Sequence, residues 1–459
     1  MEKIQNFILN KNCFVIGALL SSLITIIPFF ARLITFNKLF IVWGMVIIIK
    51  DLLSKKIIFK NKLRFILIIF CLFYGITVIL NYENNFISQV SHFGYILCTI
   101  FILYSYDLSI EKMKYIKNIY TFNKIFNLYS CIFTTISLIL IITGTKLSYK
   151  NSMGVDRFIG IGINNRAAGM YGNPIDFGFI CMFTIFLCTI NLIILKKFNK
   201  RSIFYIVNIV LHIICLPLTG SRGSLLGTAL FIILMCFFTF FKKIDNMSKN
   251  ERKKILFITI PIVSIFMVIG LVAIINKYTN IENTADITNI EKPYSDVMEE
   301  KNEAFLGDRG NFQGNPLSGR LGTWRSGLKA IAKKPVFGYG LINTLEHAKN
   351  IEGSEVEYYN LSGGMHNIFL EFLIGSGLIG LICFLIFIVS YIVLIIKVPI
   401  RKYKEQYKLI SGIISIIISM LATNIFDSSI IFPLYLPSVI FWTYLGFGMY
   451  IREKSIGEV

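Results

Sequence analysis

The sequence predicts an all-α polytopic membrane protein with about twelve transmembrane helices and one large extracytoplasmic loop that contains an amphipathic helix. Three observations predict it. Hydrophobic residues make up 55% of the 459, and the mean hydropathy is +0.68, more than a soluble core needs and what a bundle of spanning helices uses. Apolar runs of about 20 residues, the length a bilayer requires, recur along the chain. Lys and Arg collect in alternate connections between those runs, which marks the loops kept inside the cell.

The runs lie at 14–34, 37–53, 63–80, 88–106, 123–143, 174–195, 203–219, 223–241, 255–276, 367–396, 408–426 and 431–451. The first has no small-residue cleavage site behind it, so it reads as a retained span. With the N-terminus inside, the connections 50–64, 107–124, 196–201, 242–254 and 397–408 and the two termini carry 29 of the 46 Lys and Arg. Ten of the other 17 sit in residues 277–366, and a loop of that length is exempt from the charge rule. An odd number of crossings would break the alternation, so both termini are expected in the cytoplasm. The expected organisation is nine spans in 1–276 with an outer loop at 144–173, a large outer loop at 277–366, and three spans in 367–459.

The 144–173 connection is rich in Gly and Asn. The 277–366 connection far exceeds an ordinary loop, and such loops are functional or disordered. Its first part, 277–316, is polar and mixed in charge. In LGTWRSGLKAIAKKP, Leu321, Trp324, Leu328 and Ile331 recur at helical spacing. Arg325, Lys329 and Lys333 face elsewhere, and Pro335 ends the pattern. An amphipathic helix at the outer membrane surface is expected.

Composition also excludes. The net charge is +20 although only 16% of residues are charged. The basic residues lie in short loops beside anionic headgroups, not on one soluble face that could meet nucleic acid. The nine Cys all fall in hydrophobic segments without CxxC spacing and read as small buried hydrophobes. There is no DxD motif, no His/Cys/Asp cluster at ligand spacing, no GxSxG and no GxGxxG after a strand, so no metal or cofactor is expected. No span holds the buried charge pairs of an ion-coupled pump. Asp176, Glu371 and Asp427 are exceptions, each near an outer span end.

Several residues could carry chemistry. Arg222 lies in PLTGSRGSLLG, where a tight turn meets a helix N-terminus. Backbone N–H groups, the helix dipole and a guanidinium together suit a phosphate; an Arg snorkelling to headgroups fits the same position. Arg157 and Arg166 lie among glycines in GVDRFIGIGINNRAAGMYGNP, a loop that fits either a binding or a solvated role. Arg320 and Arg325 open the amphipathic helix, and Arg325 also suits its polar face. His92 and His212 fall within spans and should bond to neighbouring helices. His366 stands where the long loop re-enters the membrane, after Gly363–Gly364 and beside Asn367. Its imidazole suits a general base, and an interfacial structural role suits it equally.

LTGSRGSLLG, then GR-x-x-x-W and KPVFGYG, then HN-x-x-L-E followed by GLIG, resembles the O-antigen ligase and Wzy-type polysaccharide polymerase superfamily. RAAGMYGNP resembles that family's earlier outer-loop signature, departing from it at Asn173–Pro174, where the family often has Pro–Asn. In motif terms the likeness spans roughly 160–385, and the twelve-span layout fits the whole chain.

The resemblance implies a metal-independent, membrane-integral glycosyltransferase of the GT-C type. Such enzymes move a glycan from undecaprenyl diphosphate to an acceptor at the outer face of the cytoplasmic membrane. Carried over, Arg222 and Arg320 would bind the donor diphosphate and His366 would activate the acceptor hydroxyl. Arg166 would assist at the phosphate, and Arg157, Arg325, Asn367 and Glu371 would complete the substrate-binding set. Arginines can take the place of a metal on a leaving diphosphate. The expected function is polymerisation of lipid-linked repeat units for O-antigen or capsular polysaccharide. The bias to Ile, Lys, Asn and Phe points to an AT-rich genome, and many such organisms make capsules. The expected partners are the lipid-linked donor and acceptor, the bilayer, a chain-length regulator and a flippase. Two alternatives remain. A ligase would transfer glycan to lipid A–core or another acceptor at the same site. A flippase would line its midplane with charge, whereas here charge gathers at one surface.

Overall fold

A computed structural model of the protein describes residues 8–30, 37–53, 62–83, 85–150, 156–162, 166–196, 198–244, 320–342, 344–356, 364–396 and 404–457. The expected ninth span, 255–276, and the first part of the large loop, 277–316, lie outside the described residues.

Helices dominate. In chain order they are α1 (Lys11–Thr25), α2 (Asn37–Leu53), α3 (Lys62–Leu80), α4 (Phe86–Cys98, running on as a π turn through Leu103) and α5 (Lys112–Ile142). After a small sheet come α6 (Pro174–Leu195), α7 (Lys200–Leu218), α8 (Arg222–Ile244), α9 (Arg320–Lys333), α10 (Thr344–Lys349), α11 (Ile368–Ile396), α12 (Lys404–Thr423) and α13 (Leu436–Gly457). Among the described residues eight of these are long and apolar enough to cross a membrane: α3, α4 with its π turn, α5 to α8, α11 and α12. The protein is a membrane-integral helical bundle. The expected first, second and last spans overlap α1, α2 and α13, which are not among these eight. Of these three, α1 has 15 residues and α2 has 17, while α13 carries Arg452, Glu453 and Lys454 near its end.

The all-α expectation needs one correction. Residues in the 144–173 connection form a three-stranded antiparallel sheet, β1 (Lys146–Lys150), β2 (Asp156–Ile161) and β3 (Ala167–Gly169), in the order β1-β2-β3. The sheet is tied to the end of α5, since the Met170 N–H donates to Ser137 Oγ at 2.9 Å.

α6 lies at the centre, with nearly every side chain along Phe177–Cys188 buried. Apolar contact in lipid gives helices little reason to associate, so polar ties carry part of the specificity. Asn123 Nδ2 donates to Asn191 Oδ1 at 2.9 Å, and Tyr444 OH donates to Asn123 Oδ1 at 2.8 Å, linking α5, α6 and α13. His212 meets Thr134 Oγ1 at 2.9 Å and the Asn208 carbonyl at 2.8 Å. His92 faces Tyr74 OH at 3.4 Å. Both histidines are interhelical, as expected.

α11 is broken at Gly377, whose φ of 69° leaves the helical region. A Cβ there would lie 2.0 Å from the Val336 carbonyl oxygen, so only glycine lets the KPVFGYG segment approach. Three backbone bonds close the seam: Leu378 N–H to Pro335 O (2.8 Å), Tyr339 N–H to Ile374 O (2.9 Å) and Gly340 N–H to Gly375 O (2.8 Å). Thr77, Asn81 and Gln89 donate to the carbonyls of Phe337, Gly338 and Tyr339 at 2.7, 3.1 and 3.1 Å. α9 is thereby moored at its C-terminal end to α3, α4 and α11.

α9 is a helix as expected, but its buried face differs from the expected one. Thr323, Ser326, Gly327, Ala330 and Ile331 are buried, whereas Leu328 is 50% exposed. The helix rests on protein. Its small residues let it lie close to Met365 and Ile374, where a Cβ on Gly327 would come within 2.4 Å of Met365 Cε. A separate small core of Ala330, Ile331, Tyr339, Ala348, Met365 and Ile374 holds it there.

Candidate functional site

One end of the bundle gathers the termini of seven helices: the start of α6, the α7–α8 turn, the start of α9, the start of α11, and the end of α12 with the start of α13. Close packing brings them together. A Cβ on Gly178 would meet Ser221 Cβ at 2.5 Å, which sets α6 against the α7–α8 turn. Thr423 Oγ1 donates to the Gly223 carbonyl at 3.3 Å, which sets α8 against α12. The Ile368 N–H donates to the Asn424 carbonyl at 3.0 Å, which ties α11 to the end of α12.

The α7–α8 turn is built for an arginine. Thr219 Oγ1 donates to the Leu216 carbonyl at 2.7 Å and accepts from the Ser221 N–H at 3.1 Å. This leaves the Thr219 carbonyl facing Arg166, whose Nε donates to it at 2.9 Å. Gly220 has φ +57°, and a Cβ on it would sit 3.0 Å from Arg166 Nε. Glycine is therefore needed both for the turn and for the approach of the guanidinium. Arg222 follows as the first residue of α8.

Arg222 and Arg320 stand within electrostatic range of each other. Arg320 is the first residue of α9 and largely covered; burial works against its charge, while Asp427 supports it. Asp427 lies between α12 and α13 and accepts from the Ser428 N–H at 2.6 Å. Burial pushes its carboxyl up to about 6, against the pull of that bond and of Arg320. Two like charges held together in a partly dry site, with one carboxylate at hand, form a natural receptor for a multiply charged anion.

His366 is fixed from both sides. Its φ of +51° is left-handed, a strained conformation for a residue with a Cβ. Before it, the Met365 N–H donates to Glu371 Oε2 at 2.6 Å, and Trp324 Nε1 donates to the Met365 carbonyl at 2.9 Å. After it, Asn367 Oδ1 caps α11, accepting from the N–H groups of Phe369 and Leu370 at 3.0 and 3.1 Å. Burial, then the nearby charge of Arg320, push the imidazole down to about 4. At neutral pH the ring is uncharged and can accept a proton.

The remaining expected residues fall into different places. Glu371 is fully buried, bonded to the Met365 N–H and to Thr344 Oγ1. It holds the His366 segment, through one backbone N–H and one hydroxyl. Asn367 is a helix cap. The oxygens named here serve to position the segment around His366. Arg157 lies on β2 opposite Tyr149, within electrostatic range of Asp176. Asp176 in turn accepts from Tyr435 OH, and Asn173 caps α6 through the Ile175 N–H at 3.0 Å. Arg325 stands apart from these residues. Its side chain is 66% exposed and pairs with Glu355 at 3.4 Å, on the polar face of α9.

Asp427 was visible as an acid beside a span but had no role; Tyr435 carried no signal. Among the described residues no three His, Cys, Asp or Glu side chains group as metal ligands would.

Residues 207–385 match the family model Wzy_C, described as O-Antigen ligase. The matched stretch opens in α7, closes in α11 and contains Arg222, Arg320 and His366. Arg157 and Arg166 precede it. An uncharacterized protein of Haemophilus influenzae is 28% identical over 206 residues, 44% of this chain and 46% of that relative. The chain therefore spans under half the length of that relative. Over residues 207–385, less than half of the chain, the sequence is therefore similar to O-antigen ligase domains.

Proposed function

Starting from that similarity, we propose that the protein polymerises oligosaccharide repeat units carried on undecaprenyl diphosphate. It would work at the outer face of the cytoplasmic membrane, in O-antigen or capsular polysaccharide synthesis. One observation carries the reading. Arg222, Arg320 and His366 come from three separate elements at one end of the bundle, and Arg320 lies within electrostatic range of both Arg222 and the neutral imidazole.

The acceptor hydroxyl oxygen attacks the anomeric carbon of the donor sugar. The bond from that carbon to the lipid diphosphate breaks, and its electron pair leaves on the diphosphate oxygen. Arg222 and Arg320 neutralise the charge that develops there. The hydroxyl proton passes to His366. A base with a pKa near 4 is weak for this task. The bound diphosphate acts on the smaller cause: its negative charge offsets Arg320 and raises the imidazole, while the effect of burial stays. The base would thus be strengthened by the donor. Direct displacement inverts the anomeric centre.

In this reading Arg166 holds the α7–α8 turn and its Arg222 in place, and Arg157 stands at the rim. The twelve-span layout, with both termini cytoplasmic, belongs to the same proposal, as do a flippase and a chain-length regulator as partners. The family description favours a second reading, transfer of a finished glycan to lipid A–core or another acceptor by the same residues. Mass analysis of lipid-linked glycan in a deletion strain separates the two. Single repeats on the carrier mean a polymerase, full-length chains stranded on it mean a ligase, and unchanged lipid-linked glycan removes both.

A further inference from the structure

A large cavity lies at the other end of the bundle. It measures about 1090 Å³ and is lined from the start of α1, the end of α2, the start of α3, the π turn after α4, the first turns of α5 and the last turns of α13. α5 has 31 residues, about 46 Å of helix. Its first turns line this cavity while its last turn reaches the sheet, so the two sites are separated by the length of the bundle.

Arg64 faces the cavity from α3 and is 5% exposed. Its Nε has no hydrogen-bond partner among the described residues. Three carboxylates also line the space, and each is engaged elsewhere. Asp51 holds Lys11 Nζ at 2.5 Å, and Glu453 holds Arg452. Asp107 accepts from the Ser109 N–H and Oγ at 2.8 and 2.7 Å. Asp51 stands near enough to Arg64 to favour its charge, but no carboxylate pairs with it among the described residues. A buried guanidinium without a direct counter-ion is costly. Arg64 stands beside a space as large as a ligand site.

The walls describe the ligand. Lys11, Ser105 and Asn118 line the cavity with Arg64 as polar groups, and Ile48, Phe101 and Phe122 are among its apolar lining. A free ion would leave the apolar wall uncovered. An anionic head on an apolar body would satisfy both. Basic pockets between membrane helices bind phospholipid headgroups in this way.

We propose that this cavity is a second, anion-binding site that takes a phosphate group on Arg64, with an anionic phospholipid as the source its walls favour. The site is independent of the transfer reaction proposed above.

The full chain in detergent is melted with added phosphatidylglycerol, with diacylglycerol, which has the same tails and no phosphate, or with inorganic phosphate. Phosphatidylglycerol should raise Tm and diacylglycerol should not. Arg64→Met should weaken the phosphatidylglycerol response at least about tenfold in midpoint concentration, the scale of one charge-assisted hydrogen bond. A rise with inorganic phosphate alone supports the site and assigns it to a soluble phosphate. Equal rises with both lipids, no rise with either phosphate source, or an undiminished response in Arg64→Met overturns the proposal. If Arg64→Met does not fold, Lys11→Gln is measured by counting phosphatidylglycerol retained per chain in native mass spectrometry. Reduced retention supports the site, and wild-type retention overturns it.

Discussion

Glu371 Oε2 accepts the Met365 backbone N–H at 2.6 Å, so a fully buried carboxylate inside a membrane helix fixes the residue before His366. Glu371→Ala would leave that N–H and the Thr344 hydroxyl without an acceptor, at about 1–3 kcal/mol each. Lower Tm in detergent and loss of polymer are expected. Glu371→Gln keeps one acceptor oxygen, so it should fold and turn over more slowly, with kcat reduced more than KM rises.

His366→Ala should reduce kcat by roughly 10²–10⁴-fold, the usual contribution of a general base, at unchanged protein level. Normal polysaccharide ladders from that strain would remove His366 from catalysis.

The imidazole is held near 4, by burial first and by Arg320 second. A base must be unprotonated, so kcat/KM, which reports the free enzyme, should hold from neutral pH down to about 5 and fall as pH passes through 4. Removing Arg320 removes a positive charge that lowers the pKa. In Arg320→Gln the acid limb of the residual activity should therefore move to higher pH. A limb that stays put, or moves lower, would show that Arg320 does not act on His366.

Gly220→Ala places a Cβ at 3.0 Å from Arg166 Nε on a residue with φ +57°. The left-handed conformation alone costs about 1–2 kcal/mol. Tm should drop and KM for the lipid-linked donor should rise as the Arg222 turn shifts. Arg166→Gln should raise KM in the same direction with a smaller loss of Tm.

Arg325→Ala should change little. Its pair with Glu355 is exposed, and exposed pairs contribute about 0–1 kcal/mol. Polymer length and yield that match wild type would bear this out.

Sequence alone reads some of this molecule well. The apolar run 174–195 and α6 share both ends, because lipid demands length and apolarity and Asn173 stops the helix at its start. The sheet is less legible, since strands as short as Ala167–Gly169 carry no periodic signal. α9 misleads for a physical reason: its large apolar residues suggest a lipid-facing stripe, but its contact partner is protein, and close approach selects Gly327 and Ala330. Arg222, Arg320 and His366 are conspicuous because charge at the end of a greasy span has few reasons to be there. Tyr435 is not conspicuous in a chain with 22 Tyr, and its bond to Asp176 appears only in three dimensions.

The seam between Pro335–Gly340 and the broken turn of α11 is formed by peptide groups. Every residue but proline offers the same donor and acceptor, so side-chain chemistry matters little to the join, while Gly338, Gly340, Gly375 and Gly377 leave no room for a Cβ. Exchange at Val336, which is 46% exposed, should be absorbed freely, while any side chain at Gly377 pries the two strands of backbone apart. Variation among viable sequences here should therefore be wide in chemistry and narrow in shape, and a saturation library would display that contrast directly.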